Sequence, residues 1–177
     1  MLINNKRLLL FIGMTMTLSA CTGLPTGVQP VQDFKLNQYL GTWYEIARLD
    51  HSFERGLNNV TATYTLREDG GLKVVNKGYS STDKRWKEAE GKAYFIDENN
   101  VGHLKVSFFG PFYGSYAVFG LDKKNYDYAY VSGYNTKYLW LLSRSTSVSK
   151  AVLDKFTKQS KALGFNTDNL ILVKHNK

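Results

Sequence analysis

Cysteine is almost missing: Cys21 is the only one in 177 residues, so no disulfide can form within the chain. Histidine is scarce too. His51, His103 and His175 form no H-x-H or H-x₃-H pair, the close spacing that metal centres use. No G-x-S-x-G segment is present, which removes the serine-hydrolase elbow. With no nucleophile placed beside a base, the chain is expected not to be an enzyme and to need no cofactor or metal. Long apolar runs are absent as well. Leu8 to Leu18 spans 11 residues, too short for a bilayer-crossing helix. The formal charge is +8, but the cations Lys73, Lys77, Lys84, Lys87, Lys92 and Lys105 stand singly. Without a basic run or Arg-rich helix, nucleic acid is not an expected partner.

What is there begins with an export signal. Lys6 and Arg7 precede the apolar run, and small residues follow before Cys21. "LSAC", Leu18 to Cys21, resembles a bacterial lipobox, in which the cysteine becomes residue 1 and carries acyl chains. The other reading is an ordinary signal with an incidental cysteine. An exported lone thiol is a liability, whereas an acylated one is an anchor, at about 0.8 kcal/mol per buried CH₂. Residues 1–20 then read as signal peptide and residues 21–33 as lipidated Cys21 plus tether, rich in uncharged residues with Pro25 and Pro30. Thr22 after the cysteine resembles the outer-membrane sorting pattern, with the domain facing the periplasm. Residues 34–177 are long enough for one domain.

Period-two alternation dominates from Tyr39 to Arg144. It predicts eight strands: Gly41 to Leu49, Val60 to Arg67, Leu72 to Tyr79, Trp86 to Phe95, His103 to Phe109, Gly114 to Leu121, Tyr126 to Gly133 and Tyr138 to Ser143. Short polar turns such as "DGG" imply antiparallel neighbours. Eight such strands close into an up-and-down β-barrel with room for one small ligand. One helix follows, with Ser147 or Ser149 as cap, an apolar stripe of Val148, Val152, Phe156 and Leu163, and Gly164 past its end. That stripe should pack on the outer barrel wall. Asn169 to Lys174 reads as a short closing strand.

Connections alternate in character. "EDGG", "DENN" and "DKKN" are tight and polar, whereas Asp50 to Asn59 is long and "GPFYG" is aromatic. One barrel end is therefore closed, and the other is open with an apolar lip. The eighth strand must finish beside the start of the first, which delivers Arg144 to Trp43. A guanidinium on an indole is a favourable cation–π pair, worth roughly 0.5–2 kcal/mol. Trp43 is thus expected to plug the barrel floor, with Arg144 covering it.

"LGTWYEIAR" resembles the G-x-W motif of the lipocalins, and Arg144 matches the arginine these proteins place after the last barrel strand. "YDYAYVSGYNTKYLWLLSR" is similar to their middle motif. There Asn135, Thr136, Lys137 and Tyr138 replace the usual Thr-Asp-Tyr, which weakens a receptor-docking role. "GTWYEIARLDHSFERGL" and "KVSFFGPFYG", with the lipobox, resemble the bacterial, outer-membrane lipoprotein branch of that family. The resemblance covers Phe34 to Lys174. It implies an eight-stranded calyx and a hydrophobic ligand, carried or stored for envelope maintenance.

Alternation then assigns the lining. Trp43, Glu45 and Ala47 should point inward and Arg48 outward. Ala62, Tyr64, Val74, Ala93, Val106, Phe108, Tyr138, Trp140 and Leu142 are inward candidates, and Ala62, Ala89, Gly91 and Ala93 are small enough to leave space. Tyr116, Val118, Ala129 and Val131 follow from the family pattern. Phe108, Phe109, Phe112 and Tyr113 make the lip. Glu45 is open between a structural ion pair and contact with a ligand head group. A fatty acid or lysophospholipid is the expected ligand, since the membrane reached through Cys21 supplies such single chains. The competing reading is an interaction lipoprotein with a filled barrel, whose outer Tyr44, Tyr79 and Tyr94 dock a partner or a second copy in a homodimer.

Overall fold

A computed structural model describes residues 22–176; the signal segment and Cys21 lie outside the described residues. Eight antiparallel strands form the barrel: β1 (Gly41–Arg48), β2 (Leu57–Leu66), β3 (Leu72–Ser80), β4 (Arg85–Phe95), β5 (His103–Phe109), β6 (Phe112–Leu121), β7 (Tyr128–Ser132) and β8 (Leu139–Ser143). Each pairs with the next, and β1 pairs with both β2 and β8, which closes the sheet on itself. A short helix α1 (Leu36–Tyr39) precedes β1. The helix α2 (Lys150–Ala162) follows β8, and the two-residue strand β9 (Ile171–Leu172) adds to β1. The predicted strands are all present, with ends displaced by up to three residues.

Two cores result. One lies inside the barrel and is built on Trp43, Tyr39, Leu72, Leu104 and Ala129. The other lies between the barrel wall and α2, where Phe156 is fully buried against Ile46, Ala47, Tyr130 and Leu141. Burying one such Phe contributes about 1.5–3 kcal/mol. Ser149 caps α2, its hydroxyl accepting from the Val152 N–H at 3.3 Å. Gly164 ends the helix at φ +84°, a conformation in which a side chain is strained.

The stretch expected to be a free tether is instead strapped to the barrel. Val28 is buried in the outer core, the Val31 N–H donates to the Val118 carbonyl at 2.8 Å, and the Gly102 N–H donates back to Val31 at 2.9 Å. Leu24 and Val28 find the same surface that α2 covers, Val31 packs against the inner core, and burial outweighs the freedom of the Gly and Pro residues around them.

Strand β1 also departs from simple alternation. Glu45 opposes Leu142 while Ala47 opposes Leu141, so one extra residue is accommodated at Ile46. This β-bulge sets Ile46 and Ala47 both in the outer core and turns Arg48 inward. The expected inward Ala47 and outward Arg48 are thereby exchanged.

Candidate functional site

The floor is assembled where β1 and β8 begin and end. Gly41 sits at φ +91°, the left-handed turn that swings the chain from α1 into the barrel wall. Trp43 is fully buried, and its Nε1–H donates to the Tyr39 carbonyl at 2.8 Å. The Arg144 guanidinium carbon lies 3.9 Å from the indole centroid. Arg144 also donates to the carbonyls of Thr42 (2.8 Å), Gln38 (2.7 Å) and Leu40 (2.8 Å). One side chain therefore covers the indole and ties α1 to β1. The Tyr39 ring packs against Trp43 at a tilt of 34°, with centroids 4.8 Å apart.

Above the floor is a cavity of about 560 Å³, within the range of small-molecule sites. Its walls include Ala62, Tyr64, Val74, Ala89, Val106, Phe108, Tyr116, Val131, Tyr138, Trp140 and Leu142. The barrel is therefore hollow, with apolar walls, and not packed solid. Three candidates lie elsewhere. Ala93 and Val118 face inward but are buried in the floor packing, below the open space. Tyr113 is outside: its ring stands against Tyr94 at 6.4 Å, with Lys105 Nζ at 5.4 Å and Lys92 Nζ at 5.9 Å. Gly91 opens no space either, because the Phe108 ring covers it and a Cβ there would come within 2.8 Å of that ring.

The open end is edged with exposed apolar rings: Phe53 in the β1–β2 loop, Trp86 near the β3–β4 turn, and Phe109 and Phe112 at the β5–β6 turn. Phe109 and Phe112 are 82% and 72% exposed, far more than a packed hairpin would leave them. A stair of rings leads inward from Phe53. His51 stacks on it at 4.0 Å, and Trp140 and Tyr138 follow at 5.2 and 5.9 Å from His51. Lys77 and Lys87 line the cavity beside this rim.

One polar cluster stands in the wall. Arg48 Nη1 donates to Glu45 Oε1 at 2.7 Å, and both groups are buried. Arg48 Nη2 donates to the Glu54 carbonyl at 2.9 Å and so ties the β1–β2 loop down. Trp140 Nε1–H donates to Glu54 Oε2 at 3.1 Å. His51 Nε2 lies 3.1 Å from the same oxygen, off the line of a hydrogen bond. Burial lifts the Glu45 pKa well above the carboxylate range; the Glu54 charge adds to this, and Arg48 opposes it. For Glu54 burial also raises the pKa, but His51 and Trp140 outweigh it and the net direction is down. Glu45 thus has a structural partner, although it still borders the cavity. Arg48, His51 and Glu54 went unrecognised in the sequence. The bulge hides the first, and the other two sit in a loop where alternation says nothing.

The outer tyrosines are engaged by their own neighbours. Tyr44 meets His175 edge-on at 5.6 Å, Tyr79 meets Trp86 at 5.6 Å, and the Tyr94 hydroxyl donates to Asp69 at 3.0 Å. His103 is buried on the wall between Asp97 (2.8 Å) and the Ser115 hydroxyl (2.9 Å), a bracing role for β5 and β6.

Comparison with known proteins agrees with this architecture. Outer membrane lipoprotein Blc of Vibrio cholerae is 60% identical over 94% of this chain and 98% of that protein. Outer membrane lipoprotein Blc of Escherichia coli K12 is 51% identical over 84% of each chain. The structure of insecticyanin from the tobacco hornworm Manduca sexta superposes with a TM-score of 0.69 at 23% identity, covering 88% of both chains, and so shares the fold. The description "Lipocalin-like domain" matches residues 34–175, and with this closed calyx, its G-x-W floor and the arginine over it, the chain belongs to the lipocalin family.

Proposed function

We propose that the protein binds a single-chain lipid, a fatty acid or lysophospholipid, in the barrel cavity and stores or carries it while anchored through acylated Cys21. The observation that carries this reading is the open cavity of about 560 Å³ with apolar walls and an apolar rim. Apolar area removed from water supplies the affinity at about 25 cal/mol per Å². The head group stays at the mouth, near Lys77 and Lys87, where water still reaches it. Two acyl chains would crowd the space. The relatives' name, outer membrane lipoprotein, supports an outer-membrane anchor; a domain facing the periplasm and a part in envelope maintenance belong to the same proposal. Membership of the lipocalin family supports binding as the role in place of turnover.

Fluorescence tests it. Trp140 lines the cavity, so its emission should shift to the blue on titration with palmitate or palmitoyl-lysophosphatidylcholine. Val106→Trp, which adds a large ring to the cavity wall, should abolish saturable binding while the far-ultraviolet circular dichroism is retained. Unaltered affinity in that variant would move the site out of the barrel.

A further inference from the structure

The bottom of the cavity holds a hydrogen-bond donor that the fold does not use. Tyr39 Oη lies 2.6 Å from Tyr116 Oη, and Tyr64 Oη lies 2.8 Å from that same oxygen. Three hydroxyls carry three protons. The two contacts consume two of them, whichever way each bond runs. The third proton has no acceptor among the described residues. Tyr39 and Tyr64 are almost entirely buried, and Tyr64 and Tyr116 line the cavity. A buried donor without a partner is costly, so an oxygen from outside the protein is favoured at this spot.

The surroundings restrict what that oxygen can belong to. Both arginines nearby are committed: Arg144 to the indole and three carbonyls behind Trp43, and Arg48 to Glu45 and the Glu54 carbonyl. The cations that do line the cavity, Lys77 and Lys87, lie on the β3–β4 hairpin by the rim. A carboxylate or phosphate at the bottom would be dehydrated without a counter-charge. Burial holds the tyrosine hydroxyls protonated, so they offer hydrogen bonds but no counter-charge. The two ends of the cavity therefore differ: a charged head suits the rim, and an uncharged oxygen suits the floor.

We propose that the Tyr39–Tyr116–Tyr64 cluster is a second subsite that recognises an uncharged oxygen, a hydroxyl or carbonyl, on the buried part of a lipid chain. The protein then favours oxygenated acyl chains over plain ones. This rests on the reading of the cavity as a single-chain lipid site.

The test compares palmitate with hydroxypalmitates that carry the hydroxyl at successive positions along the chain, by calorimetric titration of the full-length protein. At least one isomer should bind about five- to tenfold tighter than palmitate, the worth of one neutral hydrogen bond. The triple variant Tyr39→Phe/Tyr64→Phe/Tyr116→Phe removes every hydroxyl of the cluster and should erase that preference, so that palmitate and all isomers bind it with one affinity. Equal affinity for palmitate and every isomer in the native protein overturns the subsite, water alone then satisfying the donor, and leaves the carrier reading intact. Failure of palmitate and all isomers to bind overturns both. The native protein alone decides, should that variant fold poorly.

Discussion

Arg48 and Glu45 meet at 2.7 Å inside the barrel wall, although they are an odd number of residues apart on one strand. Only the bulge at Ile46 allows this. The pair is a local consequence of one extra residue, and it holds the β1–β2 loop through the Glu54 carbonyl.

Breaking the pair from the two sides should differ. Arg48→Ala strands a buried carboxyl and the Glu54 carbonyl, and should cost about 3–5 kcal/mol. Glu45→Gln keeps an acceptor for Arg48 and should cost about 1 kcal/mol or less. Urea unfolding of both variants, with m-values compared, reads the difference.

The same carboxyl predicts a pH dependence. The folded pKa of Glu45 is raised, first by burial and then by Glu54. Its contribution to stability is therefore complete below the ordinary carboxylate value of about 4.5 and is lost as pH rises through the elevated folded value. Glu54 is shifted the other way and contributes in the opposite sense. The stability of the native protein minus that of Glu45→Gln should fall as pH is raised from 4.5. A difference that is flat or rises with pH would show that Glu45 is not held in this manner.

At the floor, Arg144→Ala removes the indole cover and three bonds to carbonyls. A loss of about 2–3 kcal/mol is expected, seen as a Tm lower by about 5–10 °C. Arg144→Lys should recover less than half of it. An ammonium is a point charge and cannot cap the ring and fork to Gln38, Leu40 and Thr42 at once.

The rim should govern traffic more than affinity. Phe109→Ser with Phe112→Ser exposes no core, since both rings already face water, and should leave stability within about 0.5 kcal/mol. Lipid transfer from donor vesicles, followed by stopped-flow fluorescence, should slow severalfold, while the equilibrium affinity for palmitate changes little.

Particular residues show what the sequence could convey. Trp43 and Arg144 were legible as partners because strand parity and the closure of eight strands leave them one place to meet. Parity also found the cavity walls, but it reports the face of a residue and not its height along the barrel. Ala93 and Val118 were for that reason assigned to the open space when they lie in the floor, since height depends on how the strands stagger. Tyr113 is an odd step from the inward Tyr116, so strict counting alone would have set it outside; it was grouped with the lip for its aromatic neighbours. Arg48 was hidden by a bulge, which breaks parity without leaving a Gly or Pro to mark it. Tyr39 escaped notice because it precedes the first strand.

The strap from Leu24 to Gln32 sets how the molecule can stand on a surface. Pro25 is already buried, and it is four residues after Cys21. At no more than about 3.6 Å per residue, the intervening chain reaches some 14 Å. If Cys21 carries acyl chains, the leash is too short for the calyx to roam. In that case the protein rides against the lipid leaflet in a narrow range of attitudes, and any cargo changes hands only with what comes to it there.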